Sequence, residues 1–213
     1  MNYFTEKNIK IKSKEFLEQT NHWRRPFRFS PAHTALLIID MQDFFLDSRS
    51  HAYVESAWFI IPKINELADL FFKIGQPVIT TRHINNEQNA GMMSKWWADM
   101  ITEDNQYSAI HMDFQYDDAI VLTKSQYDAF YNSELDEILK KNNIKQLIIT
   151  GVLTHLCCET TARSGFVRGY EIFFPVDGAA DYDETFHSST LYNLSHGFAH
   201  IVLIEEIISQ INE

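Results

Sequence analysis

The sequence predicts an α/β fold: three α/β/α layers around a central, mostly parallel six-stranded sheet of Rossmann-like type. Three observations carry that prediction. Apolar runs such as Ala35-Leu36-Leu37-Ile38-Ile39 and Leu147-Ile148-Ile149 are continuous, the pattern of strands buried on both faces. Segments with helical spacing lie between such runs, so strand and helix alternate along the chain. Glycines stand where the helical segments should stop, at Gly75 and Gly169. A chain of 213 residues is the right size for one domain with a full core. We divide it into an N-terminal arm, 1–32, and a single domain, 33–213.

The arm carries one aromatic cluster, from Trp23 to Phe29. The first strand, 35–39, ends in Asp40. Residues 54–74 place Ile60, Ile64, Leu67 and Phe71 at helical spacing. Pro77 to Thr81 is the second strand. Residues 84–117 are polar and spotted with Trp and Met, and read as an irregular lid. Ala119 to Leu122 is the third strand. A helix capped by Asn132 or Ser133 runs through Lys141. The fourth strand, 146–150, leads into a helix from about Leu156 to Arg168. Tyr170 to Val176 is the fifth strand, Asp183 to Gly197 a helix, and His200 to Ile204 the sixth strand, before a short closing helix.

Composition narrows the partners to a small molecule. A net charge of −11 argues against nucleic acid. No run of 18 apolar residues suggests a membrane span. The first residues lack an apolar signal segment, and the two cysteines are adjacent and so unsuited to a normal structural bridge; both point to a cytoplasmic protein. Charge is uneven: residues 1–30 hold seven Lys/Arg and three Asp/Glu, the remainder 11 and 26. A basic arm can therefore lie over an acidic body, its own or a neighbour's. With the Trp-rich lid, this leads us to expect a homo-oligomer, a dimer or tetramer.

The chemistry centres on Cys157. It follows a strand and precedes a helix, where backbone N–H groups and the helix dipole favour a thiolate. The bland alternative is a buried structural cysteine. Two other residues tip the balance: Asp40 ends the first strand and Lys124 follows the third, and ligands of parallel sheets bind at that edge. An ammonium would lower the thiol pKa, and a carboxylate can take the thiol proton and later activate water. The N–H of Cys157 and one from the Val152-Leu153-Thr154 turn are the natural oxyanion donors. Phe45, Trp96, Trp97 and Tyr127 can wall a small slot, Arg82 or His83 can meet a substrate carboxylate or carbonyl, and His155 can line the pocket. Cys158 reads as a core residue.

Taken together, Asp40-Met41-Gln42-Asp43-Phe44-Phe45, Lys124 with Tyr127-x-Ala129-Phe130, and Gly151-Val152-x-Thr154-x-x-Cys157 resemble the isochorismatase-like cysteine hydrolases, over residues 33 to 205. The resemblance implies that Asp40, Lys124 and Cys157 form a triad, and that a cis peptide joins Val152 to Leu153. It implies cleavage of a small amide-like C–N bond through a thioester on Cys157. Metal-binding nicotinamidases carry Asp-x-His after the second strand; here Thr81-Arg82-His83 stands instead, so no metal and no cofactor are expected. Two other readings stay open: a vinyl-ether hydrolase of the isochorismatase type using Asp40 as acid, and a catalytically silent binding member.

Overall fold

The computed structural model describes residues 3–212. Seven strands are present: β1 (Thr34–Ile39), β2 (Val78–His83), β3 (Ile120–Lys124), β4 (Gln146–Val152), β5 (Glu171–Pro175), β6 (Ala179–Ala180) and β7 (Ala199–Val202). The order is β3-β2-β1-β4-β5-β7, and every pairing is parallel. β1 and β4 are buried along their whole lengths at the centre, as their unbroken apolar runs require. The six-stranded path matches the prediction. The additional β6 pairs with the end of β4; two alanines carry no periodicity by which to find them.

Among the described residues eight α-helices accompany the sheet: α1 (Ile9–Thr20), α2 (Asp43–Leu46), α3 (Ile61–Lys73), α4 (Met93–Trp96), α5 (Leu135–Lys141), α6 (Glu159–Val167), α7 (Glu184–Gly197) and α8 (Ile204–Asn212). None is long and apolar enough to cross a membrane. Three boundaries differ from expectation. Residues 55–59 form a 3₁₀ turn, and α3 starts at Ile61, with Pro62 in the first turn where its missing N–H costs nothing. Asn132 is not a cap but a left-handed residue at φ 47°, while Ser133 Oγ accepts from Leu135 N–H. The helix after β4 opens with a π-helical turn over Thr154–Cys158.

The N-terminal segment is more than a solvated arm. α1 turns Ile9, Ser13, Phe16, Leu17 and Thr20 inward, a stripe at helical spacing. Tyr3, Phe4 and Phe16 surround the buried ring of His187 at centroid distances of 5.2 to 5.5 Å, a second aromatic cluster beside that of residues 23–29. Burying Phe4 and Phe16, each no more than 2 % exposed, contributes on the order of 2–3 kcal/mol per ring. Three of its basic residues pair with the chain's own acids: Lys12 with Glu184, Lys14 with Glu205 and Arg24 with Glu206.

At one point the backbones of β1 and β4 nearly touch. Gly151 sits at φ 105°, and a Cβ there would lie 2.1 Å from the carbonyl oxygen of Ile39. Only glycine allows that approach. It brings the end of β1, which carries Asp40, against the end of β4, which leads to Cys157.

Candidate active site

Asp40 follows β1 in the left-handed region at φ 50°, a conformation Asp tolerates better than most residues. Its Oδ1 accepts from Thr81 Oγ1 at 2.6 Å, and its Oδ2 lies 2.7 Å from Lys124 Nζ. Both side chains of this ion pair are fully buried. Lys124 is the last residue of β3, and its ammonium meets three further groups: the Gln126 carbonyl at 2.9 Å, His83 Nδ1 at 3.2 Å and Cys157 Sγ at 3.4 Å. His83 ends β2. Its Nε2 lies 2.9 Å from Asn85 Oδ1, and the Asn85 amide donates to the Ser125 carbonyl. That network assigns the proton to Nε2 and leaves Nδ1 as acceptor. The structure thus brings Asp40, Lys124 and Cys157 together from three strand ends, with His83 as a fourth member.

Burial sets the electrostatics. It pushes the Asp40 carboxyl up, but the Lys124 ammonium, with help from His83 and the Thr81 hydroxyl, outweighs it and holds Asp40 below the ordinary carboxylate range. Burial would lower the Lys124 pKa; Asp40 and Cys157 reverse that, so the group stays a cation. Burial and the ammonium push His83 down to about 4, so it is neutral. The Cys157 thiol is pushed up by burial and by Asp40, and Lys124 only partly offsets this. The expected resting thiolate is therefore corrected: in this dry setting the ion pair is already formed, and the thiol keeps its proton.

Donor atoms of Asp40, His83 and Cys157 lie within 4.8 Å of one another, close enough to hold a metal ion. Lys124 Nζ contacts all three, so the ammonium already occupies the place a cation would take. These residues do not fit a resident metal while Lys124 is charged.

Above Cys157 opens a cavity of about 320 Å³. Phe44, Phe45, Trp97, Leu156 and Tyr182 form much of its wall. Tyr127 Oη accepts from Trp97 Nε1 at 2.7 Å across one side. His51 and Asp99, 3.6 Å apart and exposed, also line it. Among the described residues no Arg or Lys lines this cavity. A larger open groove of about 510 Å³ lies at the N-terminal ends of β5 and β7, the opposite sheet edge from Asp40, Lys124 and Cys157, and holds none of these residues.

Of the residues expected in the pocket, Phe45, His83, Trp97 and Tyr127 line it and three do not. Arg82 points to the other face of β2, where it binds Glu103 and the Ser108 carbonyl. Trp96 is 73 % exposed, outside the cavity. His155 is turned away onto Asp181 and stacks on Phe186. The sequence reading missed Asn85, Tyr182 and Asp181. Val152-Leu153 is a cis peptide, as the resemblance implied. The Leu153 carbonyl accepts from the N–H groups of Leu156 and Cys158, both at 3.2 Å, which shapes the turn that presents Cys157.

The chain is similar in sequence and fold to known proteins. The model of the isochorismatase domain matches residues 34–206. Nicotinamidase 3 of Arabidopsis thaliana is 36 % identical over 174 residues, 79 % of this chain and 83 % of the relative. Enterobactin synthase component B of Escherichia coli is 31 % identical over 185 residues, 84 % of this chain but only 64 % of that longer protein. Among solved structures, a cysteine hydrolase from Pseudomonas syringae superposes with a TM-score of 0.84 at 24 % identity, over 88 % of this chain and 96 % of the other. With a matched domain that begins at β1 and ends within α8, the chain belongs to the isochorismatase family of hydrolases.

Proposed function

We propose that the protein cleaves the C–N bond of a small, uncharged amide-like compound through a thioester on Cys157. The observation that carries this reading is the contact of Cys157 Sγ with an ammonium already paired to Asp40, at the base of a largely apolar cavity. The thiol proton passes to Asp40 as sulfur attacks the carbonyl carbon, because burial and Asp40 together outweigh the pull of Lys124 toward a thiolate. The resulting oxyanion is met by backbone N–H groups, with Cys157 and the Leu153-Thr154 turn as candidates. Asp40 returns the proton to the departing nitrogen, and the C–N bond breaks to leave a thioester. Asp40 then takes a proton from water as the water oxygen attacks the thioester; the C–S bond breaks to release the acid, and Asp40 hands that proton to the departing sulfur. Lys124 stays charged throughout and keeps Asp40 ionised between steps.

Vinyl-ether hydrolysis with Asp40 as resting acid fits less well. A carboxyl held below its ordinary range is ionised at neutral pH and has no proton to give. A dianion such as isochorismate would also enter a cavity lined by no Arg or Lys and bearing Asp99. The intact triad speaks against a silent binding member. Similarity to nicotinamidase 3 makes nicotinamide the first compound to screen, alongside other aromatic amides, ureides and isochorismate. Ammonia release should fall on the order of 10³-fold or more in Cys157→Ala, and intact-mass spectra of the native protein should show an acyl adduct at Cys157. Isochorismate turnover that survives Cys157→Ala would overturn the proposal.

A further inference from the structure

Asp181 is a fully buried carboxylate that the chemistry above does not use. It follows β6, whose two residues pair with Gly151 and Val152 of β4, so it stands beside the turn that leads to Cys157. Its Oδ2 accepts from the backbone N–H of His155 at 2.8 Å and lies 2.7 Å from His155 Nδ1. The neighbouring residue of the same turn is gripped as well: Thr154 Oγ1 lies 3.0 Å from Nδ1 of the buried His187. Thus Thr154 and His155, directly ahead of Leu156 and Cys157, are each tied to the 181–187 segment.

That segment is in turn held from the N-terminus. The Asp181 N–H donates to the Tyr3 hydroxyl at 3.0 Å. The Tyr3 ring packs against His187, and the Tyr3 N–H donates to Ser56 Oγ at 3.1 Å, which anchors it to the body. Asp181 also receives the N–H of Tyr182 on Oδ1, and Tyr182 lines the cavity. Tyr3 lies outside residues 34–206, the stretch that matches the family domain.

We propose that Asp181, held by Tyr3, is a positioning residue that fixes the Thr154–Cys157 turn and so sets the aim of the thiol and of the backbone donors beside it. Residues 3–20 then form part of the active-site scaffold. Two features suit the part: Asp181 binds a main-chain N–H of the turn itself, and its other oxygen orders a residue of the cavity wall. Displacement of a nucleophile by about 1 Å can cost on the order of 10²-fold in rate without any change in the groups that bind substrate. The inference rests on Cys157 as the reacting group, and the test below separates the two.

The test compares Asp181→Ala, Asp181→Asn and Tyr3→Phe in the full chain. Asparagine keeps an oxygen that can accept from His155 N–H, alanine does not, and Tyr3→Phe removes only the hydroxyl. For whichever substrate the screen yields, Asp181→Ala should lower kcat at least tenfold with KM within about twofold, and Asp181→Asn should restore most of it. Tyr3→Phe should lower kcat by a smaller factor. Hydrogen exchange read by mass spectrometry, which needs no substrate, should speed up about tenfold in the 153–158 peptide of Asp181→Ala, with β1 and the start of β4 unchanged. Unchanged exchange in 153–158, or a loss of kcat matched by an equal rise in KM, would overturn the proposal. Should Asp181→Ala fail to fold, Tyr3→Phe decides: native kcat and native exchange in that variant sink the idea. Activity that survives Cys157→Ala instead removes the thioester reading and leaves the exchange result standing.

Discussion

Lys124→Met isolates what the buried ion pair does. Methionine matches the length of the lysine stem and removes only the charge and the donors. Asp40 is then left in a dry site with only the neutral Thr81 hydroxyl and Cys157 thiol as side-chain donors. Breaking a buried pair in this way costs about 3–5 kcal/mol. For a chain of this size, about 2–4 °C corresponds to 1 kcal/mol, so Tm should drop by about 6–20 °C at pH 7.5. The pH dependence has a definite sign. In the native protein the folded pKa of Asp40 is depressed, so the pair contributes stability above the unfolded pKa near 3.9 and loses it as pH falls. In the variant, burial acts unopposed by Lys124 and the folded pKa rises above the unfolded one. The variant is then least penalised in acid, and its deficit grows by about 1.4 kcal/mol per pH unit until the raised pKa is passed. Scanning calorimetry of both proteins at pH 7.5 and pH 5 reads this directly. The gap in Tm should be several degrees narrower at pH 5. A native Tm at pH 7.5, or a gap that widens on acidification, would refute the reasoning.

Three further outcomes are expected. His83 and His187 are buried neutral, pushed down to about 4 and about 3, so both depress stability as pH falls below 6.5; each should remove about 2 kcal/mol between pH 7.5 and pH 5, read from urea midpoints of the native protein and of His187→Gln. Gly151→Ala should yield little folded protein, because the added Cβ meets Ile39 backbone at 2.1 Å and relief requires the two central strands to part; a native melting curve would contradict this. Trp97→Phe removes the N–H that Tyr127 accepts and should raise KM several-fold, whereas Arg82→Leu, on the opposite face of β2, should leave KM within twofold; the reverse ranking would displace the cavity from the position given above.

The centre of the fold was legible because its strands are buried on both faces, which leaves an unbroken apolar run with a polar residue at each end. Asp40 stands out in that way, directly after β1, whereas Lys124 ends the half-exposed β3 and Cys157 lies beyond Thr154 and His155, so those two were legible by their place near a strand end and by their chemistry. Arg82 and His83 were not separated, although strand alternation offers the means: Thr81 and His83 share a face with Asp40's partners, and Arg82 must point away. α1 escaped notice because two of its five buried positions are Ser13 and Thr20, which blur the apolar stripe. Asp181 and His187 carry no local pattern at all. Their roles come from residues far away in sequence, Tyr3 with Asp181 and Thr154 with His187, and no window along the chain contains both members. The protonated state of Cys157 was equally hidden, because it depends first on how dry the site is and only then on the opposed charges of Lys124 and Asp40.

That dry thiol has a consequence for covalent inhibitors. General alkylating agents react with standing thiolates, and Cys157 keeps its proton until Asp40 removes it. A warhead that merely collides with the sulfur will therefore be slow. One that seats a polarised carbonyl or nitrile above Asp40, on an uncharged flat body small enough for about 320 Å³, recruits the proton transfer itself. Carboxylate-bearing electrophiles would shed their hydration among Phe44, Phe45 and Trp97, and the ammonium at the base is already paired with Asp40. Selectivity over ordinary cellular thiols then follows from the activation step, and intrinsic reactivity can be kept low.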